Sequence, residues 1–134
     1  MSYAHAIIWL DHRDARVIRY SVDSSRTVEL HSRETERKIH HRTNTIGSGH
    51  VADDHHFFDE IATAVHGVRE VVLCGPANAK VALNTYLQDR HPDIAGHVAG
   101  VETLDHPTDG ELLAWAKKYF KAFDQLGLAP SGER

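Results

Sequence analysis

The sequence predicts an α/β domain with a mixed five-stranded sheet and helices on both faces. Three observations point to it. Three short β-rich runs, separated by polar turns, fill residues 5–32. Beyond residue 54, helical and strand patterns alternate, which implies crossover connections and parallel neighbours. Finally, Glu70-Val71-Val72-Leu73-Cys74-Gly75 is apolar enough to be buried on both faces, as in the middle of a helix-covered sheet.

His5-Ala6-Ile7-Ile8-Trp9-Leu10 is β-branched and aromatic and reads as the first strand. Asp11-His12-Arg13-Asp14 supplies turn chemistry, and Ala15 to Tyr20 returns as the second strand of an antiparallel hairpin. Ser21 to Ser25 turns again. Thr27-Val28-Glu29-Leu30-His31-Ser32 alternates with period two, as a half-exposed third strand does. Arg33 to Lys38 is polar or charged, and Ile39 either closes that strand or opens a loop. His40 to Asp54 reads as loop, of a length at which loops are often functional.

Helical periodicity begins near Asp54, with Phe57, Phe58, Ile61 and Val65 on one face and Gly67 closing the element. After the central strand, Pro76 suits the first turn of a helix running to about Asp89, with Ala79, Leu83, Tyr86 and Leu87 inward. His91-Pro92-Asp93 reads as a break, and Gly96 to Val101 as the fifth strand. Thr108-Asp109-Gly110-Glu111 is a capping box. It opens a last helix to about Asp124, whose apolar face holds Leu112, Leu113, Trp115, Ala116, Tyr119, Phe120 and Phe123. Residues 1–126 then form one domain and 127–134 a flexible tail. A three-strand meander followed by alternating helices and strands is the arrangement of a ribonuclease H-like fold.

Composition narrows the function classes. The formal net charge is −4, so any nucleic-acid site must be a local patch. Cys74 is the one cysteine and sits in the core strand, which excludes a disulfide framework and suits the cytoplasm. No apolar run approaches the roughly 18 residues that would span a bilayer, and the N-terminus has no signal-peptide pattern. A membrane role is therefore not expected, and no cofactor fingerprint is present.

Histidine stands out, at 12 of 134 residues. His40, His41, His50, His55 and His56 lie within seventeen residues, beside Asp53 and Asp54. Imidazole with carboxylate suits a transition metal, and His50, Asp54, His55 and His56 are the residues that would hold one. No His-x-x-x-His pair with a supporting glutamate is present, so no metal is expected. A two-metal nuclease would want carboxylates at the ends of the first and fourth strands. Asp11 stands at the first, and only Leu73-Cys74-Gly75 at the second. Between residues 26 and 42, five basic residues (Arg26, Arg33, Arg37, Lys38, Arg42) face three acidic ones (Glu29, Glu34, Glu36). That small surplus offers a phosphate-contacting surface or an ordinary solvated strand face.

The order of elements, the loop after the third strand and Val71-Val72-Leu73-Cys74-Gly75-Pro76-Ala77-Asn78-Ala79-Lys80 together resemble the middle domain of archaeo-eukaryotic class 1 release factors. Pelota shares that domain, and small bacterial proteins belong to the same superfamily. The resemblance runs from about His5 to Phe123. It implies that the loop between the third strand and the first helix is the functional element. In release factors that loop carries Gly-Gly-Gln, whose glutamine helps position water for peptidyl-tRNA hydrolysis. Here it reads Thr45-Ile46-Gly47-Ser48-Gly49-His50. Ser48 separates the glycines and His50 stands where the amide would be. Pelota also lacks the motif and acts by occupying the ribosome, so the resemblance implies binding without hydrolysis.

The expected function is thus a non-enzymatic, release-factor-like protein acting at the ribosome or on tRNA, in rescue, hibernation or stress. Gly47, Ser48, Gly49 and His50 form the matching loop, and Arg37, Lys38, His40, His41, Arg42 and Lys80 are the RNA-contact candidates. Two other classes stay open. One is a hydrolase, either a metal-dependent nuclease or a peptidyl-tRNA hydrolase using the His/Asp-rich loop. The other is a stress-related homo-oligomer without an RNA partner.

Overall fold

The computed structural model describes residues 3–32 and 55–125. Five strands form one sheet: β1 His5–Leu10, β2 Asp14–Tyr20, β3 Ser25–His31, β4 Glu70–Gly75 and β5 Val98–Thr103. The helices are α1 His55–Ala64, α2 Ala79–Arg90, the short α3 Pro92–Ala95 and α4 Asp109–Gln125. Strand order is β3-β2-β1-β4-β5. The first three strands pair antiparallel, while β4 runs parallel to both β1 and β5. This is the mixed, ribonuclease H-like sheet that the order of elements predicts.

Strand periodicity divides the interior in two. Ala6, Ile8 and Leu10 of β1 and Val71 and Leu73 of β4 face α1 and α2, meeting Phe57, Phe58, Ile61, Leu83 and Leu87. Ile7, Trp9, Val72 and Cys74 point the other way, onto Leu112, Ala116 and Phe120 of α4. Every residue of β4 is buried. Each large apolar side chain so enclosed contributes about 1.5–3 kcal/mol. The predicted inward faces of all three long helices are therefore the observed ones, as far as side chains are described.

Local chemistry fixes the ends. Thr108 Oγ1 accepts the Glu111 N–H at 3.1 Å and Glu111 Oε1 accepts the Thr108 N–H at 2.9 Å, which is the predicted capping box. Gly67, with φ at +87°, turns the chain after α1 in a conformation that suits glycine. Asp11 Oδ1 accepts the N–H groups of Arg13 (2.9 Å) and Asp14 (2.8 Å), so this carboxylate builds the β1–β2 turn.

Several boundaries differ from the sequence reading, among them those of β3, which runs Ser25–His31 instead of Thr27 to Ser32. Pro76 does not open a helix; α2 starts at Ala79, because the Asn78 carbonyl is the first to accept helical N–H groups, from Val81 and Ala82 at 3.0 Å each. The break at His91-Pro92-Asp93 is a short helix, with the His91 carbonyl accepting from Ile94 and Ala95 at 2.9 Å each. That turn occupies the chain through His97, whose N–H bonds the Ile94 carbonyl, so β5 begins at Val98 rather than Gly96. The tail expected from Gly127 lies outside the described residues. No helix of the described residues is long and apolar enough to cross a membrane.

Gly75 is demanded by packing. A Cβ there would collide with the carbonyl oxygen of Leu10 on the neighbouring strand. Gly110, in the first turn of α4, has nothing within 4 Å of the same position. Gly75→Ala is expected to cost about 3 kcal/mol by overpacking, whereas Gly110→Ala should be neutral or gain about 0.5 kcal/mol. Urea unfolding of the two variants beside the parent chain checks the contrast.

Candidate functional site

The corner from β4 into α2 carries two groups with reactive chemistry, Cys74 and Lys80. Cys74 is fully buried, and its thiol donates to the Ile8 carbonyl at 3.4 Å. Burial pushes the thiol up to about 12, so it stays protonated and behaves as a small hydrophobe. Lys80 is only 7% exposed, and its ammonium donates back to the Ala77 carbonyl. Its side chain braces the turn that leads into α2 instead of standing on an open face.

A second polar centre joins α1 to the end of α2. Asp59 Oδ1 accepts the Tyr86 hydroxyl at 2.6 Å and meets His91 Nε2 at 2.9 Å. An ionised carboxylate only accepts, so His91 carries its proton on Nε2. Tyr86 is surrounded by rings: His55 at 4.8 Å, Phe58 at 5.5 Å and His91 at 5.8 Å between centroids. The Arg90 guanidinium lies 5.8 Å from the same ring. The His91 hydrogen bond, followed by that of Tyr86, holds the Asp59 carboxyl below the usual carboxylate range. Reciprocally, the hydrogen bond to Asp59 raises the Tyr86 phenol.

A histidine oriented by a carboxylate is the positioning half of an acid–base pair. Here Tyr86, whose proton is held more tightly by Asp59, is the group beside it, so the arrangement serves to clamp α1 onto the α2–α3 junction. The sequence places Tyr86 in the core and His91 only in a break between elements. The available signal was the phenol itself, since a polar atom on an inward helical face needs a partner.

His55 and His56 do not converge. His55 packs its ring against Tyr86 at a tilt of 32°, while His56 reaches Glu60, one turn along the same helix, at 3.6 Å. Among the described residues, no three His, Cys, Asp or Glu side chains gather into a metal-binding group. The other two metal candidates, His50 and Asp54, lie outside the described residues. So do Gly47, Ser48 and Gly49, and the RNA-contact candidates Arg37, Lys38, His40, His41 and Arg42. The described chain approaches that stretch through β3, which ends beside the β1–β2 turn. There His31 Nδ1 meets Asp14 Oδ1 at 2.7 Å, and the Ser32 N–H donates to the Arg13 carbonyl at 2.8 Å. The Asp14 hydrogen bond raises the His31 imidazole above its ordinary value.

No family model matches the chain, and no curated protein matches it. Solved structures do. Pelota from Archaeoglobus fulgidus superposes with a TM-score of 0.60 at 13% identity, covering 88% of this chain and 32% of that one. Pelota from Thermoplasma acidophilum gives 0.59 at 15% identity, with 99% and 36% covered. The archaeal translation termination factor aRF1 gives 0.54 at 14% identity, with 92% and 41% covered. The fold is therefore that of one portion of these release-factor-like proteins, and the chain spans between 32% and 41% of their length.

The Asp59 clamp has a pH signature. A carboxyl lowered in the folded state stabilises above its unfolded value, and that contribution disappears as pH falls through the folded one. Asp59 is half exposed, with 52% of its side chain accessible, so solvent screening limits the effect to about 1 kcal/mol. Asp59→Asn should lower stability by about that amount at pH 7. The difference from the parent should begin to shrink below about pH 4, the ordinary carboxylate value, and disappear as pH falls through the lower folded-state value at which Asp59 itself takes up a proton. Urea unfolding at pH 7, 5 and 3 reads this directly.

Proposed function

We propose that this chain works in translation as a release-factor-like protein that binds the ribosome or tRNA without hydrolysing peptidyl-tRNA. One observation carries the reading. Pelota and aRF1 share its fold across 88–99% of the chain. The sequence supports the rest. Thr45-Ile46-Gly47-Ser48-Gly49-His50 occupies the connection between β3 and α1 and offers an imidazole in place of a glutamine amide. Arg37, Lys38 and Arg42, with His40 and His41, supply phosphate contacts just before it. Lys80 contributes only after leaving the Ala77 carbonyl.

Rescue of stalled ribosomes, hibernation and stress are the roles that fit binding without hydrolysis, and the cytoplasm is their place. The nuclease alternative would need a carboxylate where β4 ends in Gly75, and Asp11 is committed to its turn. A homo-oligomer without an RNA partner would show self-association that ignores salt.

Co-sedimentation with ribosomes across a salt series tests the proposal. The parent chain should pellet at low salt and be released as salt rises. A variant with Arg37, Lys38 and Arg42 changed to alanine should bind about tenfold more weakly at low salt, with a flatter salt dependence. Programmed ribosomes should release no peptide in the presence of the parent chain. Absence of pelleting at every salt concentration overturns the reading.

A further inference from the structure

The strap that follows β5 crosses the carboxyl edge of the sheet and is fixed at three points. The Leu104 N–H donates to the Gly75 carbonyl at 3.1 Å. The Trp9 indole N–H donates to the Asp105 carbonyl at 2.7 Å. Asp109, opening α4, meets Arg16 Nη1 at 2.8 Å. Between this strap and α4 lies an open cleft of about 490 Å³, lined by Leu104, Asp105, His106, Pro107, Glu111 and Trp115. That volume lies within the range of small-ligand sites. The walls are held by the sheet and by the capping box, so the cleft exists before anything enters it.

Its charge has one sign. Two carboxylates, Asp105 and Glu111, line it, and its described lining contains neither lysine nor arginine. Asp105 is exposed, and its Oδ1 meets His106 Nδ1 at 3.0 Å. Glu111 spends Oε1 on the cap. Arg16 is engaged by Asp109 and lies 4.7 Å from the Trp9 ring centre. The wall opposite the strap is the half-buried indole of Trp115, backed by Tyr119 stacked at 5.0 Å.

An indole face beside carboxylates attracts a planar cation. A guanidinium stacks on the ring and offers forked donors to carboxylate oxygens, whereas an ammonium does only the second well. A phosphate would face two carboxylates with neither lysine nor arginine in the described lining to meet it. The geometry points to this cleft as the docking site for an arginine side chain presented by a basic polypeptide partner. It is independent of the phosphate contacts proposed above, and it lies on the α4 side of the sheet.

The chain has two tryptophans, Trp9 and Trp115, whose indole N–H signals in an NMR spectrum are to be assigned with Trp115→Phe. Three probes are titrated: a capped arginine-rich hexapeptide, its citrulline counterpart and an RNA oligonucleotide. The arginine peptide should shift the Trp115 signal saturably and more weakly as salt rises. Citrulline, planar but neutral, should bind at least about tenfold more weakly. Asp105→Asn combined with Glu111→Gln, where glutamine keeps the cap acceptor, should lose about tenfold toward the arginine peptide. No shift at millimolar peptide, equal binding of the citrulline peptide or undiminished binding by the double variant overturns the assignment. A Trp115 shift produced by RNA in preference to peptide overturns it in favour of base stacking. The citrulline comparison uses the unaltered chain and decides the matter even where a variant fails to fold.

Discussion

The parallel pairing of β1 with β4 is the joint on which this domain depends. It fastens the antiparallel meander, contiguous in sequence, to the half built by helical crossovers. The register runs from His5 opposite Glu70 to Trp9 opposite Cys74. At the amino end, Glu70 is almost wholly buried and meets His5 Nε2 at 2.8 Å. Isolated, that carboxylate would be costly, so the imidazole is part of the joint and not an ornament on it. At the carboxyl end the backbones close in until Leu10 leaves no room for a side chain on Gly75. The strap beyond β5 then donates its first hydrogen bond, from the Leu104 N–H, to the Gly75 carbonyl.

From that joint the period of two distributes everything else. Alternate residues of β1 and β4 feed two separate interiors, one roofed by α1 and α2 and the other by α4. The roofs are secured differently. On the α1 side, Asp59 binds groups from the end of α2 and the start of α3, so two helices are tied to each other above the sheet. On the α4 side, Arg16, Trp9 and Gly75 of three strands hold the helix start and its strap directly to the sheet. The second arrangement leaves space between strap and helix, and that space is the aromatic-walled cleft.

What the sequence made legible follows from distance along the chain. Phe57, Phe58, Ile61 and Val65 lie within three turns, and Thr108 caps against Glu111 three residues on, so periodicity and capping chemistry revealed both helices. The order of strands followed from the same local patterns together with connection length. Pro92–Ala95 is only four residues and too short to display a period. Pro76 fits a first helical turn on its own, but the packing of Gly75 on Leu10 and the Asn78 carbonyl moved the helix start to Ala79. The Asp59 cluster spans 27 and 32 residues, and the Trp9–Asp105 bond spans 96. No local pattern encodes such contacts. Asp11 and Lys80 mislead in the opposite sense: each has the chemistry of a ligand-binding residue and spends it on a neighbouring turn.

The proposed function needs a chain of net charge −4 to meet an RNA-rich partner, and the placement of charge along the sequence allows it. β3 runs parallel to β1, β4 and β5, so all four point toward one edge of the sheet. Beyond β3 the sequence becomes basic, with Arg37, Lys38 and Arg42; beyond β5 the strap and the start of α4 carry Asp105, Asp109 and Glu111. In sequence, opposite signs follow different strands, and a net charge averages them away. On the proposed reading, phosphates would be attracted to the basic stretch and repelled at the cleft, while a basic polypeptide would see the reverse. On the same reading, a partner made of RNA and basic protein would satisfy both, whereas bare RNA would engage only one. The sign of the charge at each place, rather than its sum, is what selects the partner.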